Sequence, residues 1–250
     1  MGTAAVLIAA LLAALFLLPP RALELLVGLI LLPAAHEWAR LCRLGRTAGL
    51  VFAAAVALTF LAVERAGLQQ ALFALAAFFW IVLAPLWMWR GVQPHQTLWT
   101  GAAGFAVLVP AGLAMVWLEP LAVLLVLVLV WIADSAAYFV GRAWGRRKLA
   151  PTVSPGKTWE GVAGGLVGAV LYAIIIALFT DRGAWLALVA TAILLGMVSI
   201  VGDLFESAAK RQAGVKDSGT LLPGHGGILD RIDSATAALP LAALIWPIVR

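Results

Sequence analysis

The chain has 250 residues, of which 64% are hydrophobic and only 12% are charged. Because about a quarter of the residues in a soluble domain are usually charged, this composition excludes an ordinary soluble protein and indicates an integral membrane protein. The net charge is +5, and the presence of a single cysteine, Cys42, excludes an internal disulfide bond.

Apolar segments follow one another along the whole chain. A run of about 20 apolar residues can cross the bilayer as a helix, and uncharged runs of Leu, Ala and Val favour helices over the alternating strands of a β-barrel. We interpret the first run as a retained span and not as a signal peptide, because no basic residue precedes it. The nine predicted spans are residues 3–18, 21–40, 48–64, 69–89, 98–117, 119–140, 160–180, 184–205 and 230–249.

These spans predict an all-α integral membrane protein, a polytopic bundle of about nine transmembrane helices in one membrane-embedded domain, residues 1–250. We expect residues 1–118 to act as a scaffold and residues 119–250 to carry the catalytic helices and cytoplasmic loops. The loops after the even-numbered spans, with their flanking residues, hold 13 of the 17 basic residues. The positive-inside rule therefore places these loops in the cytoplasm, including two long polar loops at 141–159 and 206–229.

Two acidic residues, Asp134 and Asp203, lie inside apolar runs. A charge at the centre of the bilayer costs roughly 2.5–3.5 kcal/mol even on the more favourable insertion scale, so an acid in this position marks either a functional site or a structural ion pair. For both residues the structural alternative is a pair with a nearby arginine.

A second pair of acids, Asp230 and Asp233, opens the ninth span at a spacing that puts both on one helix face. Simple capping of the helix N-terminus is the alternative reading. If the eighth and ninth spans are neighbours, Asp203, Asp230 and Asp233 converge, and such a set of oxygen ligands suits Mg²⁺. The end of the eighth span also repeats polar residues at helical spacing: Asp203, Glu206, Ser207 and Lys210.

The loop before the ninth span combines basic residues with glycines. Its GHGG segment, residues 224–227, would let backbone N–H groups approach an anion closely. Carboxylates for a metal, basic groups for phosphate and a glycine-rich cradle together indicate phosphoryl or nucleotidyl transfer. The basic residues around the acids are Lys210, Arg211, Lys216 and Arg231.

The other polar loop ends in SPGKTWEG, residues 154–161, which resembles the end of a Walker A motif. The first glycine of that motif would fall on Pro151, and no strand is predicted before it, so a P-loop fold is excluded. Ser154, Lys157 and Thr158 still precede a helix and predict a phosphate-binding element. The alternative for Lys157 is a positively charged anchor at the membrane surface.

Both loops also carry longer motifs. SAAKRQAGVKDSGTLLPGHGGILDRID, residues 207–233, closely resembles the signature of the phosphatidate cytidylyltransferase, or CDP-diacylglycerol synthase, family. DSAAYFVGRAWGRRKLAPTVSPGKTWEG, residues 134–161, is similar to a second hallmark of that family. Two small departures, Ala209 in place of a bulkier aliphatic residue and Gly156 where some members have Lys, remove no expected ligand.

The resemblance implies that CTP and phosphatidic acid react at the cytoplasmic face of a cell membrane, the bacterial inner membrane, to give CDP-diacylglycerol and pyrophosphate. It implies Mg²⁺, with a second cation left open, bound by Asp203, Asp230 and Asp233, and it leaves a homodimer open. Lys157 joins these acids as a catalytic residue. The implied substrate-binding residues are Asp134, Ser154, Thr158, Ser207, Lys210, Arg211, Lys216, Asp217, His225, Gly226, Gly227 and Arg231.

Several other functions fit parts of the pattern. A CTP-dependent lipid kinase would give CDP and a phospholipid instead. A CDP-alcohol phosphotransferase would need an Asp-Gly dipeptide, which this chain does not contain. A transporter would predict polar residues at the midplane and inverted repeats, whereas the polar residues here gather at one face. A purely structural role leaves the loop at 206–229 unexplained.

Overall fold

The structure is a computed structural model that describes residues 2–91, 97–180, 185–221 and 226–249. Within these residues the chain forms nine helices and one short β-hairpin. The elements are α1 (Gly2–Leu17), α2 (Pro20–Leu41), α3 (Arg46–Ala66), α4 (Gln69–Trp89), α5 (Thr97–Trp117), α6 (Pro120–Trp144), β1 (Lys148–Ala150), β2 (Ser154–Thr158), α7 (Trp159–Leu178), α8 (Trp185–Ala213) and α9 (Leu229–Val249).

The predicted helical bundle is confirmed. The nine helices coincide with the nine predicted spans, and seven of them, α2 to α8, are long and apolar enough to cross a membrane. Large apolar side chains along these helices are exposed on the outside of the bundle, as expected of a surface that faces lipid. The protein is therefore a multi-pass membrane protein.

The main difference from the predicted spans lies in α8, which continues to Ala213 instead of ending at residue 205. Its 29 residues correspond to about 44 Å of helix, whereas the hydrocarbon core of a bilayer is about 30 Å thick. Hydropathy marks only the part of a helix inside the hydrocarbon, and the following ESAAKRQA segment contains mostly good helix formers. The first eight residues of the loop predicted at 206–229 are therefore helical.

The loop predicted at 141–159 is also more ordered than expected. Helix α6 continues to Trp144, and β1 and β2 then form an antiparallel hairpin in which Lys148 pairs with Thr158. The strand β2 is the SPGKT segment itself. At its end the Thr158 hydroxyl accepts a hydrogen bond from the Gly161 N–H at 3.1 Å and so caps the N-terminus of α7.

Close contacts at glycine residues hold the helices of the C-terminal half of the bundle together. A Cβ atom at Gly165 of α7 would lie 2.9 Å from the carbonyl oxygen of Ala133 on α6. A Cβ atom at Gly202 of α8 would likewise lie 2.8 Å from the carbonyl oxygen of Asp233 on α9. Glycine at these positions lets the helix backbones touch, and the second contact places Asp203, the residue after Gly202, beside the start of α9.

An aromatic cluster fixes the C-terminal part of α8 against the N-terminal helices. The Phe205 ring lies 6.2 Å from that of Trp38 on α2, 5.3 Å from that of Phe79 and 5.6 Å from that of Trp80 on α4. Phe79 and Trp80 belong to a π-helical turn inside α4. Packing of this kind holds the acidic end of α8 at a fixed height in the bundle.

Candidate active site

Seven charged side chains gather where α6, β2, α8 and α9 meet. We call this group the acid–lysine cluster: Asp134, Lys157, Asp203, Glu206, Lys210, Asp230 and Asp233. Asp134 lies within electrostatic range of Lys157 and Asp203, and Asp233 lies within electrostatic range of Asp203 and Asp134. The structure thus places α8 and α9 side by side, as the sequence interpretation required, and adds an acid from α6.

The first part of the cluster is an ion pair between the hairpin and α8. The Lys157 ammonium contacts Asp203 Oδ2, and each side chain is one-quarter exposed. The other oxygen of Asp203 accepts a hydrogen bond from the Ser207 hydroxyl at 3.4 Å. Asp203 therefore pairs with a lysine, not with the arginine considered from the sequence, and the pair remains accessible to a ligand from the water.

The second part of the cluster is more deeply buried. The Lys210 ammonium lies 3.2 Å from Glu206 Oε1 and 2.6 Å from Asp230 Oδ1. The side chains of Glu206 and Asp230 are only 4% and 6% exposed, and that of Lys210 is 11% exposed. The helical spacing of Glu206 was apparent from the sequence without indicating a role, and the structure makes this residue a partner of Lys210.

Asp230 also organises the loop in front of α9. Its Oδ2 atom accepts hydrogen bonds from the Ser218 N–H at 3.0 Å, the Ser218 hydroxyl at 2.9 Å and the Gly227 N–H at 2.9 Å. Gly226 has φ of +79°, a conformation that glycine adopts at no steric cost. Both oxygens of Asp230 are thus engaged by the protein, one by Lys210 and the other by the loop.

Sequence reasoning missed a further carboxylate, Glu37 on α2. It is 4% exposed. It accepts hydrogen bonds from the N–H groups of Ile228 at 3.1 Å and Leu229 at 3.0 Å. The Ser218 hydroxyl lies 3.1 Å from its Oε2 atom and shares one proton between Glu37 and Asp230. These N–H groups have no partner within their own helix, so Glu37 caps α9 from a distant part of the chain. The position of an acidic residue inside a predicted span could have indicated Glu37, but only Asp134 and Asp203 were selected on this ground.

The glycines of the loop make room for this carboxylate. A Cβ atom at Gly219 or Gly227 would overlap the Glu37 carboxylate, and one at Gly227 would also overlap the Ser218 hydroxyl. The GHGG segment was predicted to bring backbone N–H groups to an anion. In the described residues, the Gly227 N–H donates to the Asp230 carboxylate, and the N–H groups of the next two residues, Ile228 and Leu229, donate to Glu37.

The remaining predicted substrate-binding residues lie around the cluster at different depths. Thr158 caps α7, and the Arg211 guanidinium donates to the Val153 carbonyl of the hairpin at 3.2 Å and to the Val215 carbonyl at 3.3 Å. Ser154 is half-buried at the start of β2. Lys216, Asp217 and Arg231 are exposed to water, while His225 lies outside the described residues.

The charge and donor chemistry of the acid–lysine cluster suit a hard divalent cation. Its five carboxylates and two ammonium groups leave three formal negative charges, and carboxylate oxygens are the donors that Mg²⁺ prefers. Within the described residues, no three acidic, histidine or cysteine side chains already lie at a spacing that would enclose one ion. In this conformation the Lys157 ammonium supplies the positive charge beside Asp203.

The chain is similar to known proteins over nearly its whole length. Residues 1–249 match the Cytidylyltransferase family. The chain is 44% identical to a phosphatidate cytidylyltransferase of Pseudomonas aeruginosa over 259 aligned positions, which cover 98% of this chain and 95% of that protein. It is 52% identical to the Haemophilus influenzae phosphatidate cytidylyltransferase over 49% of this chain and 44% of that protein. The resemblance first seen in the two loop motifs is confirmed, and the chain belongs to the cytidylyltransferase family.

Proposed function

We propose that this protein transfers the cytidylyl group of CTP to phosphatidic acid, giving CDP-diacylglycerol and pyrophosphate. The observation that carries the proposal is the acid–lysine cluster at the end of a membrane-spanning bundle, in a chain of the cytidylyltransferase family. CTP is soluble and polyanionic, whereas phosphatidic acid is a lipid with its phosphate at the membrane surface. The partly exposed Lys157–Asp203 pair of the cluster is the part that both substrates can reach.

The reaction needs no covalent enzyme intermediate. A phosphate oxygen of phosphatidic acid attacks the α-phosphorus of CTP, a new P–O bond forms, and the bond from the α-phosphorus to the oxygen that bridges to the β-phosphorus breaks. Pyrophosphate leaves with that bridging oxygen. The protein's task is to hold two anions together and to neutralise the charge that develops between them.

The lysine and arginine side chains of the site differ in their exposure and in their carboxylate partners, and these differences suggest different roles. Lys157, one-quarter exposed beside Asp203, is placed to turn towards a phosphate group. We assign the exposed Lys216 and Arg231 to the pyrophosphate part of CTP, since these side chains face water. Lys210 is held on both sides by carboxylates, so it orients Asp230 and Glu206 more readily than it moves to a ligand.

Mg²⁺ is the cofactor that the donor set fits. When bound, the ion would neutralise phosphate charge and act as a Lewis acid at the α-phosphate. We assign Asp203 and Asp233 to the metal, with Asp134 beside them, because each is within reach of the charge of another. Asp230, also predicted as a ligand, would have to release Lys210 to bind the ion. Binding of Mn²⁺, followed by electron paramagnetic resonance without substrates, should weaken in Asp203→Asn and Asp233→Asn.

We further propose that the cluster faces the cytoplasm of a bacterial inner membrane. The basic loops at this end of the bundle support this orientation through the positive-inside rule. The relatives named above are bacterial. A homodimer remains a prediction that sedimentation of the detergent-solubilised protein would test.

The proposal is tested by following two labels. Purified protein is incubated with phosphatidic acid, Mg²⁺ and CTP labelled at either the α or the γ position. We expect the α label to enter the lipid and the γ label to leave in pyrophosphate. Entry of the γ label into the lipid would refute cytidylyl transfer and indicate a lipid kinase.

One substitution ties this activity to the cluster. Asp203→Asn removes a carboxylate from the cluster and the partner of Lys157, and we expect turnover to fall by about 100-fold or more. Glu64→Gln, the matched change of an acid on α3, should leave turnover unaltered. Turnover in a folded Asp203→Asn variant equal to that of the unsubstituted protein would place the chemistry elsewhere.

A further inference from the structure

Glu37 links the N-terminal helices to the loop before α9, whose described residues, 214–221 and 226–228, we call the glycine loop. Its side chain is buried, and its three hydrogen-bond donors all belong to the segment that leads into α9. The donors are 181 to 192 residues away along the chain. Each of these donors carries only a partial positive charge. Two backbone N–H groups, the hydroxyl and the helix dipole therefore act together to stabilise the Glu37 carboxylate.

Contacts continue from Glu37 into the acid–lysine cluster. The Ser218 hydroxyl contacts Glu37 Oε2 at 3.1 Å and Asp230 Oδ2 at 2.9 Å. Asp230 Oδ1 in turn holds the Lys210 ammonium at 2.6 Å. Glu37 is thus connected through Ser218 to Asp230 and Lys210, and through the N–H groups of Ile228 and Leu229 to the start of α9. Asp233 follows Asp230 by less than one helical turn and moves with it.

We propose that Glu37 is a positioning residue for CTP: it fixes the glycine loop and the first turn of α9 in the arrangement that the nucleotide binds. The inference rests on the proposed function. The loop is the water-facing wall of the site, since residues 214–217, 220 and 221 are exposed. Loss of Glu37 should therefore affect the soluble nucleotide more than the lipid, which approaches from the membrane.

Glu37→Gln tests the inference with little change in side-chain volume. The carboxylate uses both oxygens as acceptors, Oε1 for Ile228 and Oε2 for Leu229 and Ser218. A glutamine offers one acceptor oxygen and an NH₂ group that would face a backbone donor. Because at least one charge-assisted hydrogen bond is lost, we expect the KM for CTP to rise about tenfold. The KM for phosphatidic acid should stay unchanged.

The matched control is Glu24→Gln, the same substitution on the same helix. Glu24 lies about 20 Å along α2 from Glu37, away from the glycine loop, and both Michaelis constants should be unaltered. Ser218→Ala is a milder second variant, which removes the hydroxyl that joins Glu37 to Asp230. It should raise the KM for CTP in the same direction and by less, and it decides the question if Glu37→Gln does not fold.

The outcomes separate this inference from the proposed function. A selective rise in the KM for CTP in folded variants supports the positioning role. If Glu37→Gln and Ser218→Ala bind CTP normally, or if both Michaelis constants rise together as thermal stability falls, Glu37 is only structural and the inference is wrong. If the unsubstituted protein itself transfers no cytidylyl group, the proposed function fails instead.

Discussion

Replacement of Lys210 by methionine should destabilise the protein by leaving two buried carboxylates without their shared ammonium group. Removal of one partner from a buried ion pair costs about 3–5 kcal/mol. Asp230 keeps its three hydrogen bonds from Ser218 and Gly227 after the change, so most of the cost falls on Glu206. We therefore expect the lower end of that range, about 3 kcal/mol.

A second substitution checks the origin of this cost. Glu206→Gln in the Lys210→Met background removes the uncompensated charge, and most of the lost free energy of unfolding should return. Lys216→Met, at an exposed lysine in the next loop, is the control and should change stability by less than about 0.5 kcal/mol. Chemical unfolding in detergent micelles, followed by tryptophan fluorescence, measures all four proteins. Equal stability of Lys210→Met and Lys216→Met would refute the reasoning.

Two further outcomes follow from the packing of the bundle. Gly165→Leu should prevent α6 and α7 from packing, because a side chain would meet the Ala133 carbonyl, and the yield of monodisperse protein should collapse; Gly156→Ala, where a Cβ meets nothing within 4 Å, should not change it. Burial raises the pKa of the Cys42 thiol to about 12, so maleimide at pH 7.5 should label this residue only after denaturation. Rapid labelling of the folded protein would show that the end of α2 is open to solvent.

The helices were predictable because a helix that crosses the bilayer must be apolar over the thickness of the hydrocarbon core, and such a run is visible in the sequence. Gln69–Trp89, for example, has the bounds that the apolar run predicts. The end of α8 was not predictable in this way, since residues 206–213 leave the hydrocarbon and helix formation there depends on propensity and on packing around Phe205. The hairpin of β1 and β2 was missed because a five-residue strand with proline and glycine has no clear alternating pattern.

The candidate site was predictable only where local sequence carried the signal. Asp203 and Asp233 were brought together by the assumption that α8 and α9 are neighbours, and the contact at Gly202 confirms that arrangement. Glu37 could not be placed, because its partners lie far along the chain and no spacing rule connects α2 to the loop before α9. The assignment of 1–118 as scaffold stays a prediction, although Glu37 shows that this part contributes a contact to the loop.

The use of backbone donors by Glu37 and Asp230 has a consequence for how the site can evolve. The N–H groups of Gly227, Ile228 and Leu229 already donate to carboxylates of the protein, so these three groups are not free to bind an incoming triphosphate. A Walker-type loop fixes its ligand through backbone geometry, which single substitutions change little. On the proposed assignment of the exposed Lys216 and Arg231 to the pyrophosphate part of CTP, we expect point mutations at these two residues to alter the preference for one polyphosphate over another while the fold stays intact.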